Sequence, residues 1–597
     1  MKVLVAKTAG FCMGVQRALD LVLDTGSRSA KSRRPARAAS PDGELYTLGP
    51  LIHNDQALEA LRARGVRTAS SLDEVTGTAV VVRAHGAGPT LRRKIREREL
   101  DIIDATCPRV TRCQRAVERA ASAGRQVVIA GDRDHAEVTA LVDFTGNRAS
   151  VITSVDEASH VELRPPVTLV AQTTFNSRTY GQIAATLAAR LADGSANDLE
   201  TVQSLCRSTE DRQRETIELT GAVDAMVVVG GKHSANTRRL AEVARNHGRP
   251  AFHVETADEL DPSAFAGYSV VGVTAGASTP AWVTEAVVDR LKEFGSPLRR
   301  AVRRLSVALM GANMLLAGGA ASVAVAASLM SGRTPTAGMM FIAFAYVLFA
   351  YSANREGDLA HHASALTARL GFFLRYRTPI MALSSALTVA ALATAFFMTP
   401  ATGISLLVAT LLAGLYSLRV LPLEIFQLRR PRDIPGSKDL MIALAWVFVA
   451  VALPLIPGLA DSGQGSLGEV FLAGPTLLAA GAVFALSFAA STALSLGDVQ
   501  SDRLIGRETV AMLVGRGTAR AIAAACAGVV ALGTGVPAVA GWVPIAGLGF
   551  SFAGLIVLVA TLSPRRTGDS LRFGLGVQFS LLAAGPVGML AEAFVPA

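Results

Sequence analysis

The sequence predicts an α/β half with largely parallel strands over residues 1–297, a basic linker over 298–305, and an all-α, nine-helix transmembrane half over 306–597. Three observations predict this. β-rich runs alternate with helical runs early in the chain, charge density drops sharply near Arg299–Arg304, and three cysteines recur at near-equal spacing. At 597 residues the chain is long enough for on the order of four structural units. Roughly 77 of its Lys, Arg, Asp and Glu side chains fall in residues 1–310 and roughly 29 in 311–597, a composition typical of membrane segments. The net charge of +10 comes without aromatic–basic interleaving and is read as a topology signal, so no nucleic-acid partner is expected.

In the first half the alternation runs MKVLVA then GVQRALDLVLD, QVVIAG then HAEVTALVDF, and AMVVVGG then NTRRLAEVARNHG. Such β–helix alternation implies parallel strands, whose carboxyl ends line the crevice where ligands bind. The unusual residues gather at those turns. Cys12 (GFCMGV), Cys107 (DATCPRV) and Cys206 (QSLCRST) lie about 95 and 99 residues apart, which suggests three pseudo-equivalent α/β lobes with the sulfurs meeting centrally. The short-spaced ligand pairs of a zinc site are absent, whereas thiolates from separate lobes suit an iron–sulfur cluster. Cys113 and Cys526 are read as structural. His53, His85 and His135 each end an apolar strand-like run and can donate to phosphate oxygens. In VVVGGKHSAN, Ser234 and Asn236 precede or open a helix suited to an anion, and Ser278 in GVTAGAST repeats the device. Glu137 is the candidate proton donor and Thr173 a hydroxyl that orients a substrate alcohol. The H-x-E spelling around Glu137 lacks the P-C-x-x-C of zinc deaminases.

Taken together, GFCMGVQRA, PLIHN, RAHG, DATCP, HAEV, QTT, the Cys206 turn, KHSAN and GVTAGAS resemble the LytB/IspH family, the 4-hydroxy-3-methylbut-2-enyl diphosphate reductases. That resemblance implies a [4Fe–4S] cluster on Cys12, Cys107 and Cys206 and substrate binding by His53, His85, His135, Thr173, Ser234, Asn236 and Ser278. It also implies proton delivery by Glu137 and an electron donor such as ferredoxin or flavodoxin. Ala235 and Glu210–Asp211 depart from the usual family pattern.

From Ser306 onward nine apolar stretches can be drawn, near 306–330, 336–352, 378–398, 402–418, 440–459, 471–496, 519–539, 542–562 and 573–593. Basic residues collect on one face (Arg299–Arg304, Arg355–Arg377, Arg419–Lys438, Arg503–Arg520, Arg565–Arg572), whereas the other has almost only Arg333. The expectation is a multi-pass cell-membrane protein with its N-terminal half cytoplasmic; the N-terminus itself shows no secretory h-region. Two polar segments sit near the membrane core: Asn354-x3-Asp358-x3-His362 and Asp498-x3-Asp502. Their spacing places each pair on one helical face, where carboxylates hold Mg²⁺ and share it with phosphates.

The segments GDVQSDRLIGRETVAMLVG and LYSLRVLPLEIFQLRRPRDIPGSKDL resemble UbiA-type intramembrane prenyltransferases. This implies Mg²⁺ at Asn354, Asp358, Asp498 and Asp502, diphosphate binding at Lys438, a polyprenyl diphosphate donor and an unidentified acceptor within membrane lipid. His362 stands where that family usually has a third acidic residue. The expectation is therefore an oxidoreductase fused to a second, prenyl-transferring enzyme. In the alternative only one half is catalytic, the membrane half serving as anchor or scaffold.

Overall fold

The computed structural model describes residues 1–31, 45–52, 54–191, 198–358, 368–417, 436–462, 470–471, 473–505, 509–563 and 570–594; the side chains of 24, 26–31, 357–358, 417, 458–462 and 498–505 lie outside the description. The chain divides into two compact units, Met1–Gly295 and Ser296–Ala597.

The first unit opens with β1 (Lys2–Val5) and α1 (Met13–Lys31). Next come β2 (Leu45–Leu48), α2 (Asp55–Arg62), β3 (Val66–Ala69), β4 (Ala79–Val82), α3 (Pro89–Glu97), β5 (Asp101–Asp104) and α4 (Pro108–Ser122). The pattern repeats as β6 (Gln126–Ala130), α5 (Ala136–Asp143), β7 (Ser150–Ile152), α6 (Val155–His160), β8 (Val167–Ala171), α7 (Ser177–Arg190), β9 (Leu199–Thr201) and α8 (Arg207–Thr220). It closes with β10 (Ala225–Val229), α9 (Ala235–Asn246), β11 (Ala251–Val254), β12 (Val270–Ala275) and α10 (Ala281–Glu293).

These strands form three four-stranded sheets, ordered β1-β12-β10-β11, β3-β2-β4-β5 and β7-β6-β8-β9, with every pair parallel. The central strands AVVV, VTLVA and AMVVV are buried along their whole length, as continuous apolar runs in a parallel sheet must be when both faces are covered. The expected three lobes are present, with a permutation: β1 joins the sheet of β10–β12, so that lobe is assembled from both ends of the unit. Each lobe then follows one path. Its first two strands run to one side, its third and fourth to the other, and the switch lies between strands β2 and β4, β6 and β8, or β10 and β12.

In the second unit each expected apolar stretch contains a helix among the described residues, although the stretch near 542–562 becomes helical only from Gly547. Among the described residues six helices are long and apolar enough to cross a membrane: Ala337–Glu356, Arg377–Met398, Ser437–Pro457, Gly474–Gly497, Arg516–Val539 and Ser570–Phe594. A seventh results if Pro297–Gly311 and Met314–Met330, bent by 67°, count as one span. The bend falls at Asn313, whose φ of 61° interrupts helical geometry. Pro400–Tyr416 and Gly547–Leu562 are shorter apolar helices. Nine full spans are therefore not reached by length and composition among the described residues, because at 1.5 Å per residue those two fall short of about 30 Å of hydrocarbon. Residues 298–305, expected as a linker, lie in the helix Pro297–Gly311. Pro297 suits its first turn, and Leu298, Val302 and Leu305 recur at helical spacing between the arginines.

Candidate active site

The three cysteines occupy equivalent places. Each follows an edge strand, β1, β5 or β9, and immediately precedes the helix that carries the chain to the next lobe, α1, α4 or α8. A thiolate there meets the positive end of a helix. Val15 N–H donates to Cys12 Sγ at 3.4 Å. Each cysteine is also tied by its own N–H to a turn after a third strand: Cys107 to Ala84 O (3.0 Å), Cys206 to Thr173 O (2.9 Å) and Cys12 to Ala277 O (3.0 Å). Those carbonyls lie at or beside His85, Thr173 and Ser278, so the cysteines adjoin the switch points.

The Cys107 sulfur lies within electrostatic reach of Cys12 and Cys206. Burial raises the Cys107 thiol pKa and the neighbouring Cys12 and Cys206 add to the rise, while N–H groups of Arg109 and Val110 pull against it. A Cβ placed on Gly14 would stand 2.6 Å from Cys107 Sγ and 3.9 Å from Cys12 Sγ, so only glycine lets α1 approach the second cysteine so closely. Among the described residues, no three His, Cys, Asp or Glu side chains converge on a single ion. Half-buried sulfurs that interact electrostatically without converging on one point suit a polynuclear cluster better than a lone tetrahedral ion.

Arg212 completes this centre. It is 3% exposed, its Nη2 donates to Gly10 O at 2.5 Å and Nη1 to Ser208 O at 3.2 Å. Burial lowers its pKa, and the adjacent Cys12 and Cys206 oppose that fall. A buried guanidinium beside thiolates offsets their negative charge. Arg212 belongs to the Cys206 turn that carries the family resemblance, but residue type alone does not single it out, because RSTEDRQRE looks like a solvated helix.

The loops at the switch points supply the other candidates. His135 caps α5 by accepting from Glu137 N–H on Nδ1 at 3.2 Å, which leaves Nε2 as the donor of a neutral ring. Its ring meets that of His85 edge-on, with centroids 5.2 Å apart, so two lobes converge here. Glu137 is 1% exposed. Thr173 donates to it twice, from N–H to Oε1 and from Oγ1 to Oε2, each at 2.8 Å. Burial pushes the Glu137 carboxyl up to about 7 against those two hydrogen bonds, so near neutral pH it holds a proton to give. Thr173 thus bonds the proton donor.

In the third lobe Ser234 caps α9, accepting from Thr237 N–H at 3.4 Å. Asn236, one residue into that helix, is buried with both amide atoms lacking any partner among the described residues. An unmatched buried amide at a helix N-terminus is costly unless an anion meets it. Gly230, at φ +144°, lets β10 turn against β12, since a Cβ there would stand 2.5 Å from Thr279 Oγ1. Ser278 is half-buried on the opposite side of this switch point. His53 lies outside the described residues.

In the second unit, Asn354 and Lys438 line one cavity of about 500 Å³ together with Tyr351, Tyr416 and Trp446. Lys438 Nζ donates to Ser495 Oγ at 3.4 Å. Asp358 closes the helix Ala337–Asp358, and Asp498 and Asp502 lie in the helix Gly474–Ile505; their side chains, and His362 altogether, lie outside the described residues. Sequence reading missed Asp439. It is fully buried and accepts from Ser491 Oγ at 2.5 Å and Val510 N–H at 3.0 Å, so it ties together the chain before and after the second aspartate segment.

Three parallel-sheet lobes presenting thiolates at helix starts and protic side chains at switch points define a cysteine-centred α/β enzyme. The comparisons agree: the LytB protein family matches residues 3–292. The 4-hydroxy-3-methylbut-2-enyl diphosphate reductase of Solidesulfovibrio magneticus is 41% identical over 296 residues, covering 49% of this chain and 98% of the relative. That of Geobacter metallireducens is 36% identical over 296 residues, covering 50% and 99%. The chain belongs to the LytB family through its first unit. The apo structure of a UbiA homolog from Aeropyrum pernix K1 matches 47% of this chain and 98% of that chain at 19% identity and TM-score 0.35, a likeness that bears no weight here.

The contact at Gly14 yields a prediction. Gly14→Ala favours the helix by propensity yet drives a methyl into Cys107 Sγ, so metal bound per mole of anaerobically isolated protein is expected to fall by about tenfold if Cys107 is a ligand. Far-UV circular dichroism should stay unchanged.

Proposed function

We propose that the first unit removes the hydroxyl of 4-hydroxy-3-methylbut-2-enyl diphosphate reductively, giving isopentenyl and dimethylallyl diphosphates. The observation that carries the reading is the threefold placement of Cys12, Cys107 and Cys206 beside the switch points that hold Glu137, His135 and Asn236. Those cysteines would hold a [4Fe–4S] cluster, which supplies electrons and a Lewis-acidic iron for the hydroxyl. Around it, Asn236, Ser234 and the start of α9, with His135 Nε2, bind the diphosphate, joined by His53, His85 and Ser278. Glu137, held by Thr173, gives its proton to the departing oxygen or the allylic carbon. Arg212 keeps the thiolate centre electrically balanced.

The second unit is read as a prenyltransferase-like membrane domain. Supporting this are the two polar segments, the cavity shared by Asn354 and Lys438, and the buried tie at Asp439. Asp358, Asp498 and Asp502, with Asn354, are the residues that would hold Mg²⁺, which neutralises a diphosphate leaving group; the donor is a polyprenyl diphosphate and the acceptor a membrane lipid of unknown identity. The distribution of basic loops supports a cytoplasmic first unit.

Membranes bearing the full chain, incubated without oxygen with dithionite and hydroxymethylbutenyl diphosphate, are expected to yield both five-carbon products; no product would refute the reductase reading. For the second unit, Asp498→Asn is expected to lower prenyl transfer to extracted lipid by more than about 100-fold while leaving the five-carbon products unchanged. Equal transfer would remove the Mg²⁺ assignment.

A further inference from the structure

The reduction consumes two electrons and two protons per substrate and releases water, and the described residues of the first unit offer no second cluster of thiols to store electrons. Electrons must enter from outside, and the surface beside the cysteines is built unevenly. α1 and α4 enclose a cleft of about 670 Å³ lined by Arg17, Arg112, Arg115 and Arg119, with Glu118 its one acid. Spacings of three and four residues set the three α4 arginines on one helical face. All four arginines are exposed, and none forms an ion pair among the described residues. The cleft wall continues through Thr106 and Pro108, which flank Cys107, and Arg17 Nη1 donates to Thr106 O at 2.9 Å. This positive charge therefore lies against the backbone of one cluster cysteine, on a helix that begins beside another.

The residues that follow the three cysteines add a second feature. Met13, Pro108 and Arg207 are all exposed, Met13 at 72%. Each cysteine is thus bonded on one side to a switch-point turn and followed on the other by a residue in solvent. A polarisable apolar side chain four residues before Arg17 on the same helix, near arginines that form no ion pair among the described residues, has the make-up of a transient protein interface, where charge steers encounter and a small apolar centre seats it. A small anion is a poorer occupant, since these cations lie along exposed helix faces instead of converging as buried donors.

We propose that this arginine cleft, with Met13 one helical turn before Arg17 on α1, is the docking surface for an acidic one-electron carrier protein. Two reduced carriers, docking in turn, each give up one electron and leave oxidised. The inference rests on the reductase reading of the same centre, and the test separates the two.

The test uses the full-length holoprotein and its Arg112→Glu/Arg115→Glu/Arg119→Glu variant, with a purified acidic flavodoxin as probe. Calorimetric affinity is expected to weaken at least about tenfold in the variant and to lose most of its salt dependence. Flavodoxin-driven turnover falls in parallel, whereas dithionite-driven turnover is unchanged. Unaltered flavodoxin affinity in the variant, or displacement of flavodoxin from the wild type by millimolar inorganic pyrophosphate through this cleft, overturns the docking assignment. Failure of the wild type to turn over with dithionite refutes the reductase reading instead, and the binding measurement still decides the docking surface.

Discussion

Cys107→Ser, purified without oxygen, is expected to emerge without the brown chromophore and with reductase turnover down by more than about 100-fold, beyond the usual cost of disturbing a supporting residue around a metal centre. The reason is positional. Cys107 touches both partners electrically, sits at the start of α4 and is fixed by its N–H to the turn that carries His85. A serine keeps that backbone bond and the shape, so far-UV circular dichroism should be retained while iron and acid-labile sulfide are lost. Cys113→Ser is the matched control. Cys113 lies on the same helix, buried against Ala171 O at 3.7 Å, with its thiol pKa raised chiefly by burial, and it should load iron normally. Loss of iron in both variants, or in neither, would contradict the assignment.

Glu137→Gln should leave the chromophore intact and lower turnover by about 10²–10⁴-fold, the range expected when a positioned proton donor is removed. Its pH dependence follows from the carboxyl pushed up to about 7 by burial. Below that value the group is protonated and competent; as pH rises through it the proton is lost, so wild-type turnover should fall on the alkaline side. That limb should vanish in Glu137→Gln. The same raised value makes the folded state bind this proton more tightly than the unfolded chain does. Its contribution to stability is therefore complete below the ordinary carboxylate range and is lost as pH climbs through about 7. An unchanged alkaline limb in the variant would assign the proton to another group.

Much of this was legible in the residues themselves. Buried parallel strands announce themselves as short apolar runs, and AMVVV, QVVIA and VTLVA are all strands. The near-equal cysteine spacing signalled a threefold plan because each lobe repeats the same strand–helix sequence. It did not reveal the permutation, since pairing of β1 with β12 is a contact between distant parts of the chain that no local pattern encodes. Nor did spacing show that the cysteines stand at the crossovers between lobes. Glu137 and Thr173 were each singled out, but their double hydrogen bond joins loops on two strands and became visible only once β6 and β8 were paired. Asp439 was missed, and Arg212 entered only through the family resemblance, for one reason: both are charged residues in polar-looking stretches, and burial of a charge against a specific partner leaves no trace in composition. In the membrane half, hydropathy marked the long apolar helices but not the short helix Ala368–Arg375, and apolar character alone reports neither where Asn313 interrupts helical geometry nor that Pro400–Tyr416 and Gly547–Leu562 are short among the described residues.

What the three cysteines hold is open to direct measurement. Iron and acid-labile sulfide analysis with Mössbauer spectroscopy of the anaerobically isolated full chain should find about four irons and four sulfides per chain, with one iron distinct and altered by hydroxymethylbutenyl diphosphate. Zinc in place of iron, or iron without sulfide, would contradict the cluster assignment.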